Sequence, residues 1–400
     1  MTRLNIAFVT PLNPIPNGLS DYSELLLPAL AELADITVYS DCGVPTNSHI
    51  AGQFEVRPVR HLVRYHAEHD LRLYQIGNSA DHKAAFEMLR ALPGIVVLHE
   101  PFLHTGYRYM PSTSPYQREL LYELGAIKPV ERARWAAEPD RMVLQTVPFT
   151  RRLIDASLGV IVHSQAARRL VQATTSPRAH VVPLAVIPHL MDLPPRVEPR
   201  TSRSDFGWPA EALLIGVPGM IDPTKEPDLA LRAFAALSCQ RPEARLIFMG
   251  DWPLDYGLSN LVRELNVSGR VEFMGRVDPL ARLEQAMAAC DIIINLRRPT
   301  IGETSGTALR ALAMGRAIVV RDIGWFSEIP AGCCLKIGLT ADVDELAQAL
   351  QQLADQPELR RQLGDAAREH IQANCNVAQV ARQYQLFLQS VYAGLSNSNG

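Results

Sequence analysis

Short apolar runs, separated by polar loops rich in glycine and proline, recur along the first half of the chain. Leu4 to Thr10 (LNIAFVT), Ile36 to Ser40, Leu71 to Ile76, Ile95 to Leu98, Leu158 to Val162 and Ala179 to Leu184 read as strands buried on both faces. Amphipathic helices are predicted between them over Ser23 to Leu33, Asp81 to Leu92 and Ala166 to Ala173. From Ile187 to Pro209 the pattern gives way to proline, arginine, aspartate and serine, the mark of a boundary. It then restarts. Strands are predicted over Leu213 to Val217, Ala244 to Met249, Val271 to Met274, Ile292 to Ile294 and Ala317 to Val320. Helices are predicted over Asp228 to Leu237, Leu258 to Leu265 and Pro279 to Ala289, and a further one opens at Glu303-Thr304-Ser305-Gly306 and ends at a left-handed Gly315. From Asp342 onward the chain reads as helical, with a disordered SNSNG end. Strand-helix alternation of this kind predicts an α/β chain of two consecutive parallel-sheet domains with a cleft between them. The boundaries are 1–186, a linker 187–209, a second domain 210–372 and a last helical segment 373–395.

The 400 residues allow about two to three domains. Hydrophobic residues at 47% and charged residues at 20% are ordinary for a globular chain. A net charge of -3 offers no general attraction for nucleic acid. The six cysteines form no C-x-x-C pair, so neither a zinc site nor a disulfide framework is suggested, and reduced cytosolic thiols fit best. The start, MTRLNIAFVTPL, is too short an apolar run for a signal peptide, and no run of ~20 apolar residues suggests a membrane span. A cytoplasmic location follows, with room left for a peripheral contact at the inner face of a membrane.

Chemistry concentrates at strand ends. The strand Ile292–Ile294, the polar loop after it and the helix that follows present unpaired N–H groups and a positive dipole end, where phosphates bind in α/β sheets. Glu303 either improves that dipole or accepts hydrogen bonds from ligand hydroxyls. Lys225, in the loop PGMIDPTKEP, either is solvated or neutralises a diphosphate as a point charge. In the first half, Gly18 lets backbone approach a ligand, although the loop lacks the G-x-G-x-x-G pattern, and Asp21 can cap the helix. His99 and Glu100 end a strand with His104 nearby, and the structural and functional readings of His99 weigh equally. Residues 105–150 carry Tyr107, Tyr109, Tyr116, Tyr122 and Trp135, and read as packing or as the wall of an acceptor pocket, with Met110 to Tyr116 a loop.

Together these segments resemble the retaining "group 1" glycosyltransferases of family 4, which have the GT-B fold. GLSDYSELLLPALAEL resembles the family's first glycine loop and helix, VVLHEP its histidine-bearing strand end, and VIVHSQAARRL the segment before the linker. GMIDPTKEPDLALRAF resembles its G-R-x(4)-K-G phosphate loop. LIFMGDW and VEFMGRV resemble two further strand ends. GETSGTALRALAMGRAIVVRDIGWFSEIP resembles its Glu-x7-Glu signature. The resemblance covers nearly the whole chain. It implies two Rossmann-like domains facing a cleft and a last helix that crosses back to the first domain. It also implies metal-independent transfer, with retention by front-face displacement, from a nucleoside diphosphate sugar to a glycan, lipid-linked or small-molecule acceptor. The nucleotide sugar is a co-substrate, and no other cofactor, metal or nucleic acid is implied.

The implied roles follow position by position. Gly18 faces donor phosphates and Lys225 holds the diphosphate. His99 and Glu303 are the catalytic candidates, His99 against the transferred sugar and Glu303 on its hydroxyls. Backbone at Arg276 and Val277 meets the nucleobase, and Thr304, Ser305 and Gly306 offer N–H groups to the β-phosphate. Asp21, Glu100 and His104 are candidates on the acceptor side. Two departures stand out. The family's phosphate-loop arginine is Met220 here. Its second signature glutamate falls on Arg310 or, with another anchor, on Ala311, so Arg297, Arg298 or Arg310 is left to supply charge near the ribose. These departures motivate an alternative, a non-catalytic GT-B protein that binds a sugar or nucleotide or serves a partner. An epimerase or phosphorylase is a more distant third reading.

Overall fold

The computed structural model describes residues 3–15, 17–108, 113–124, 147–174, 176–252 and 257–398. The chain divides into two compact units. One comprises residues 1–190, 301–304 and 377–400; the other comprises 191–300 and 305–376.

The first unit is built on seven parallel strands in the order β3-β2-β1-β4-β5-β6-β7. These are β1 (Asn5–Val9), β2 (Asp35–Tyr39), β3 (Val56–Arg57), β4 (Leu71–Ile76), β5 (Ile95–Leu98), β6 (Gly159–Val162) and β7 (Leu184–Val186). Its helices are α1 (Gly18–Ala31), α2 (Ser48–Gln53), α3 (Leu62–Tyr65), α4 (Lys83–Ala91), α5 (His104–Arg108), α6 (Thr113–Leu124), α7 (Arg151–Ala156) and α8 (Gln165–Gln172). The period-two alternation of each strand feeds two cores. Ala7, Val9, Tyr74, Ile76, Val96 and Leu98 join α4 and α7 on one face. Ile6, Phe8, Leu71, Leu73, Ile95 and Val97 meet Leu26, Leu27 and Leu30 of α1 on the other.

The second unit has six parallel strands in the order β10-β9-β8-β11-β12-β13. They are β8 (Leu214–Pro218), β9 (Arg245–Met249), β10 (Val271–Phe273), β11 (Ile292–Asn295), β12 (Ala317–Arg321) and β13 (Leu335–Ile337). Helices α9 (Pro227–Gln240), α10 (Leu258–Glu264), α11 (Leu280–Ala288), α12 (Gly306–Ala313), α13 (Val343–Asp355) and α14 (Pro357–Asn374) cover its faces. The run Ile292–Ile294 shows why this sheet is stable: Ile293 enters one core while Ile292 and Ile294 enter the other. Full burial contributes roughly 1.5–3 kcal/mol for each such side chain. The segment before β8 is anchored by Arg203, whose buried guanidinium pairs with Asp291 at 2.6 Å and donates to the Ala212 and Ala289 carbonyls. A last helix, α15 (Val377–Ser398), returns to the first unit, where Tyr384 hydrogen-bonds Tyr22 of α1 at 2.7 Å.

Several expected elements move. Helix α1 begins at Gly18, not Ser23, because the Asn17 side chain accepts from the Leu19 N–H at 3.0 Å and caps it. Ala179 to Pro183 is a turn, not strand: Val181 and Val182 both donate to the Arg178 carbonyl, and Val181 is 74% exposed. The strand starts only after Pro183. Within Met110 to Tyr116, residues from Thr113 are helical, in α6; 109–112 and Trp135 lie outside the described residues. Helix α15 runs through Ser398 of the closing SNSNG, and 399–400 lie outside. Helix α2, strands β3 and β13, and their neighbouring turns have no counterpart in the sequence pattern read above.

Candidate active site

In the second unit the strand order reverses between β8 and β11. The loops after these strands flank the crevice where α/β sheets bind ligands. Gly219, just past β8, has φ +91°. A β-carbon there would collide with the Lys225 ammonium and come within 3.4 Å of the Thr307 methyl. Lys225 is thereby placed beside the first turn of α12, its ammonium 3.5 Å from the Pro218 carbonyl.

The lysine loop is held at several points. Asp222 caps its turn by accepting from the Thr224 N–H at 2.8 Å. The Arg298 N–H donates to the Thr224 carbonyl at 2.7 Å, and the Arg297 guanidinium to the Thr224 hydroxyl. Glu226, left-handed at φ +50°, accepts from fully buried Arg321 at 2.7 and 3.0 Å and pairs with Arg298 at 2.9 Å. A charged clamp of this kind fixes the loop's end, and a bidentate guanidinium sets its geometry.

Helix α12 starts at Gly306 with Ser305 as its N-cap, the Ser305 hydroxyl accepting from the Ala308 N–H at 3.2 Å. Glu303 and Thr304 therefore precede the helix, contrary to the expectation that Glu303 opens it, and Glu303 is not a first-turn residue. Its Oε2 accepts from the Ile301 N–H at 2.8 Å, and the residue is 6% exposed. By position, Gly306 and Thr307 are the first helical N–H donors without an intrahelical acceptor. Asn295, ending β11, donates to the Thr307 hydroxyl at 2.8 Å and accepts from that of Ser305 at 3.2 Å, which ties strand end to helix start. Arg310 lies along the same turn. It donates to the Gly306 carbonyl at 3.4 Å and to Glu284 of α11 at 3.2 Å. Ala311 is fully buried, and Met220 is 66% exposed.

In the first unit, His99 follows β5 and is 7% exposed. Its Nε2 lies 2.7 Å from Gln75 Oε1, and its Nδ1 lies 3.1 Å from His163 Nε2. Tyr22 meets its ring edge-on with centroids 4.7 Å apart. Burial, then the neighbouring imidazoles of His163, His189 and His82, hold His99 well below the usual histidine range, and burial lowers His163 to about 4. Gly18 is the first residue of α1 and has open space where a β-carbon would stand. Asp21 sits in the first turn of α1, but Asn17 is the cap; Asp21 accepts from the Asn13 side chain at 3.2 Å. Glu100 follows His99 and is half-buried. His104 is buried in an aromatic cluster, 2.6 Å from the Tyr116 hydroxyl and edge-on to Phe149. Arg276, past β10, is exposed and paired with Asp278, while half-buried Val277 packs on the core. Among the described residues no group of three or more histidines, cysteines, aspartates or glutamates is placed to hold a metal ion.

Residues 199–370 match the sequence model of the glycosyl transferases group 1. This region is similar to the glycosyl transferases group 1. The chain is 30% identical over 199 residues to a D-inositol 3-phosphate glycosyltransferase of Stackebrandtia nassauensis, covering 44% of this chain and 43% of that protein. The chain thus spans less than half the length of such curated relatives. Two solved structures superpose on nearly all of it with a TM-score of 0.67 and 19% identity. They are Anabaena Alr3699/HepE in complex with UDP (97% of this chain, 100% of that one) and the sucrose-phosphate synthase of Thermosynechococcus elongatus (98% and 100%). The fold is GT-B, with a Rossmann-like parallel sheet in each unit. No described helix is long and apolar enough to cross a membrane.

Within the second unit, sequence reasoning passed over Asn295, Thr307, Asp222 and Glu284. Asn295 carried a signal, a lone amide ending an apolar strand. Glu284 carried none, since only the packing of α11 on α12 brings it to Arg310. In the first unit Gln75 and His163 were missed as partners of His99, because pairing across β4, β5 and β6 brings them together.

Proposed function

We propose that the protein transfers a sugar from a nucleoside diphosphate sugar to a hydroxyl acceptor, a glycan, a lipid-linked glycan or a small molecule, as a retaining family 4 enzyme. The observation that carries this reading is the Lys225 ammonium seated against Gly219 beside the first turn of α12. Departure of a nucleoside diphosphate develops negative charge. A fixed cation and unpaired helix N–H groups stabilise it without reorganisation. We assign the diphosphate to Lys225 and to the N–H groups of Gly306 and Thr307. The transferred sugar is assigned to His99 and Glu303, and the base to the backbone at Arg276 and Val277. The bond between the anomeric carbon and phosphate oxygen breaks as the acceptor oxygen bonds the same face, and the acceptor proton passes to the departing phosphate. No metal is required in this scheme, because the lysine and helix end take its electrostatic part.

Exposed Met220 and the pairing of Arg310 with Glu284 favour one second reading, binding of the nucleotide sugar without turnover. A single experiment separates the two. Nucleoside diphosphate release is followed over a panel of donors and acceptors, in the presence of a chelator, with the product anomer read by NMR. Turnover with an unchanged anomeric configuration supports transfer. Binding without turnover over the panel supports the second reading. A covalent glycosyl-enzyme trapped in Glu100→Gln overturns the front-face mechanism.

A further inference from the structure

Three contacts run in a row through the buried end of the first sheet. Gln75 Oε1 faces His99 Nε2 at 2.7 Å, His99 Nδ1 faces His163 Nε2 at 3.1 Å, and His163 Nδ1 faces the Ile187 carbonyl at 2.9 Å. Counting protons decides how the row is wired. The Ile187 carbonyl only accepts, so His163 Nδ1 carries a proton. With the Gln75 carbonyl facing His99, His99 Nε2 carries one too, and the contact between the rings needs a third. Two imidazoles with three protons make a buried cation. That arrangement also leaves both N–H donors of the fully buried Gln75 amide without a partner.

A half-turn of the amide removes the buried charge and gives one of the two N–H donors a partner, because the two ends of a glutamine side chain are interchangeable in shape. Gln75 Nε2 then donates to His99 Nε2, His99 Nδ1 donates to His163 Nε2, and His163 Nδ1 donates to Ile187. Two protons serve two neutral rings, and every contact is a hydrogen bond. One N–H and the carbonyl are then left over in place of two N–H groups, and a carbonyl tolerates a missing partner more cheaply than an amino group does. Burial, which lowers the pKa of both histidines, acts in the same sense. The neighbouring wiring agrees. His82 Nδ1 faces the Gln75 main-chain carbonyl at 3.2 Å and so carries a proton, leaving its Nε2 to accept from the Asn17 amide at 3.3 Å.

We infer that Gln75 is a positioning residue that fixes His99 as a neutral ring protonated on Nδ1, with no N–H left over for a substrate. In this wiring His99 is neither general acid nor general base. It presents an uncharged ring edge, locked between β4 and β6. The tautomer assignment stands apart from the transferase reading, and only its bearing on catalysis rests on that reading.

The test is NMR of the full-length protein labelled with 15N-histidine at pH 7, with resonances assigned from His99→Gln and His163→Gln. Both rings are expected to be neutral and protonated on Nδ1. Gln75→Glu, which can only accept, is expected to move the His99 proton to Nε2 or to charge the pair. A wild-type His99 protonated on Nε2, a charged ring at pH 7, or a His99 signature unchanged in folded Gln75→Glu overturns the inference. The wild-type spectrum decides even if that variant fails to fold. Absence of turnover with the expected spectrum counts against the transferase reading alone.

Discussion

The Lys225 ammonium occupies the space that a β-carbon on Gly219 would need. Glycine there is required twice, by a φ of +91° and by the lysine. Gly219→Ala is therefore expected to lose about 1–3 kcal/mol of stability from backbone strain. It should also displace the ammonium and weaken nucleoside diphosphate binding as much as Lys225→Ala does. Urea unfolding and titration calorimetry on both variants check this, and an alanine variant with wild-type affinity contradicts it.

Met220 is solvent-exposed next to Gly219, where the resembling family carries arginine. Met220→Arg has little packing to disrupt. It should tighten nucleoside diphosphate binding by roughly tenfold, equivalent to about 1.4 kcal/mol, with an unchanged melting temperature. The gain should shrink at high salt, as for any exposed charge.

Arg321 is fully buried and its guanidinium is held by Glu226 and by the carbonyls of Gly338 and Leu339 at 2.6 and 2.8 Å. Removing only the acid strands a buried charge, so Glu226→Ala should cost about 3–5 kcal/mol. Arg321→Met combined with Glu226→Leu should cost much less than Glu226→Ala. Chemical denaturation of the double-mutant cycle measures the difference.

Burial lowers His82 and His163 to about 4. Between the ordinary histidine value and about 4, the unfolded chain binds protons that the folded one refuses. Stability therefore falls as pH drops through that window and the loss is complete near 4. Each histidine accounts for about 3 kcal/mol. Glu123, raised to about 7 by burial, acts oppositely: its contribution is present at low pH and is lost as pH rises through about 7. Acid destabilisation should therefore be net, and steeper in Glu123→Gln. Urea midpoints at pH 7, 5.5 and 4.5 read it directly.

What the sequence disclosed depended on the range of the interaction. The run Ile292–Ile294 and its glycine-ended helix were legible because burial on both faces writes itself into consecutive residues. The start of α12 was misread at Glu303, since the polar run Glu303-Thr304-Ser305-Gly306 does not show where the helix opens, and the Ser305 hydroxyl caps it by accepting from the Ala308 N–H. Val181 and Val182 resemble a strand locally, but hydrogen bonds back to Arg178 win. Lys225 was legible by its loop, whereas its seat against Gly219 needed the fold. His163, 64 residues from His99, became its neighbour only through the pairing of β5 with β6.

The central claim is that Lys225 and the start of α12 hold a nucleoside diphosphate. Thermal unfolding against UDP-, GDP-, ADP- and dTDP-sugars tests it most directly. A ligand at ~100 times its Kd adds about 2.7 kcal/mol to the folded state. The account predicts a raised midpoint with one nucleotide class, lost in Lys225→Ala and preserved in Glu100→Gln. An equal rise in wild type and Lys225→Ala, or no rise with any nucleotide sugar, would contradict it.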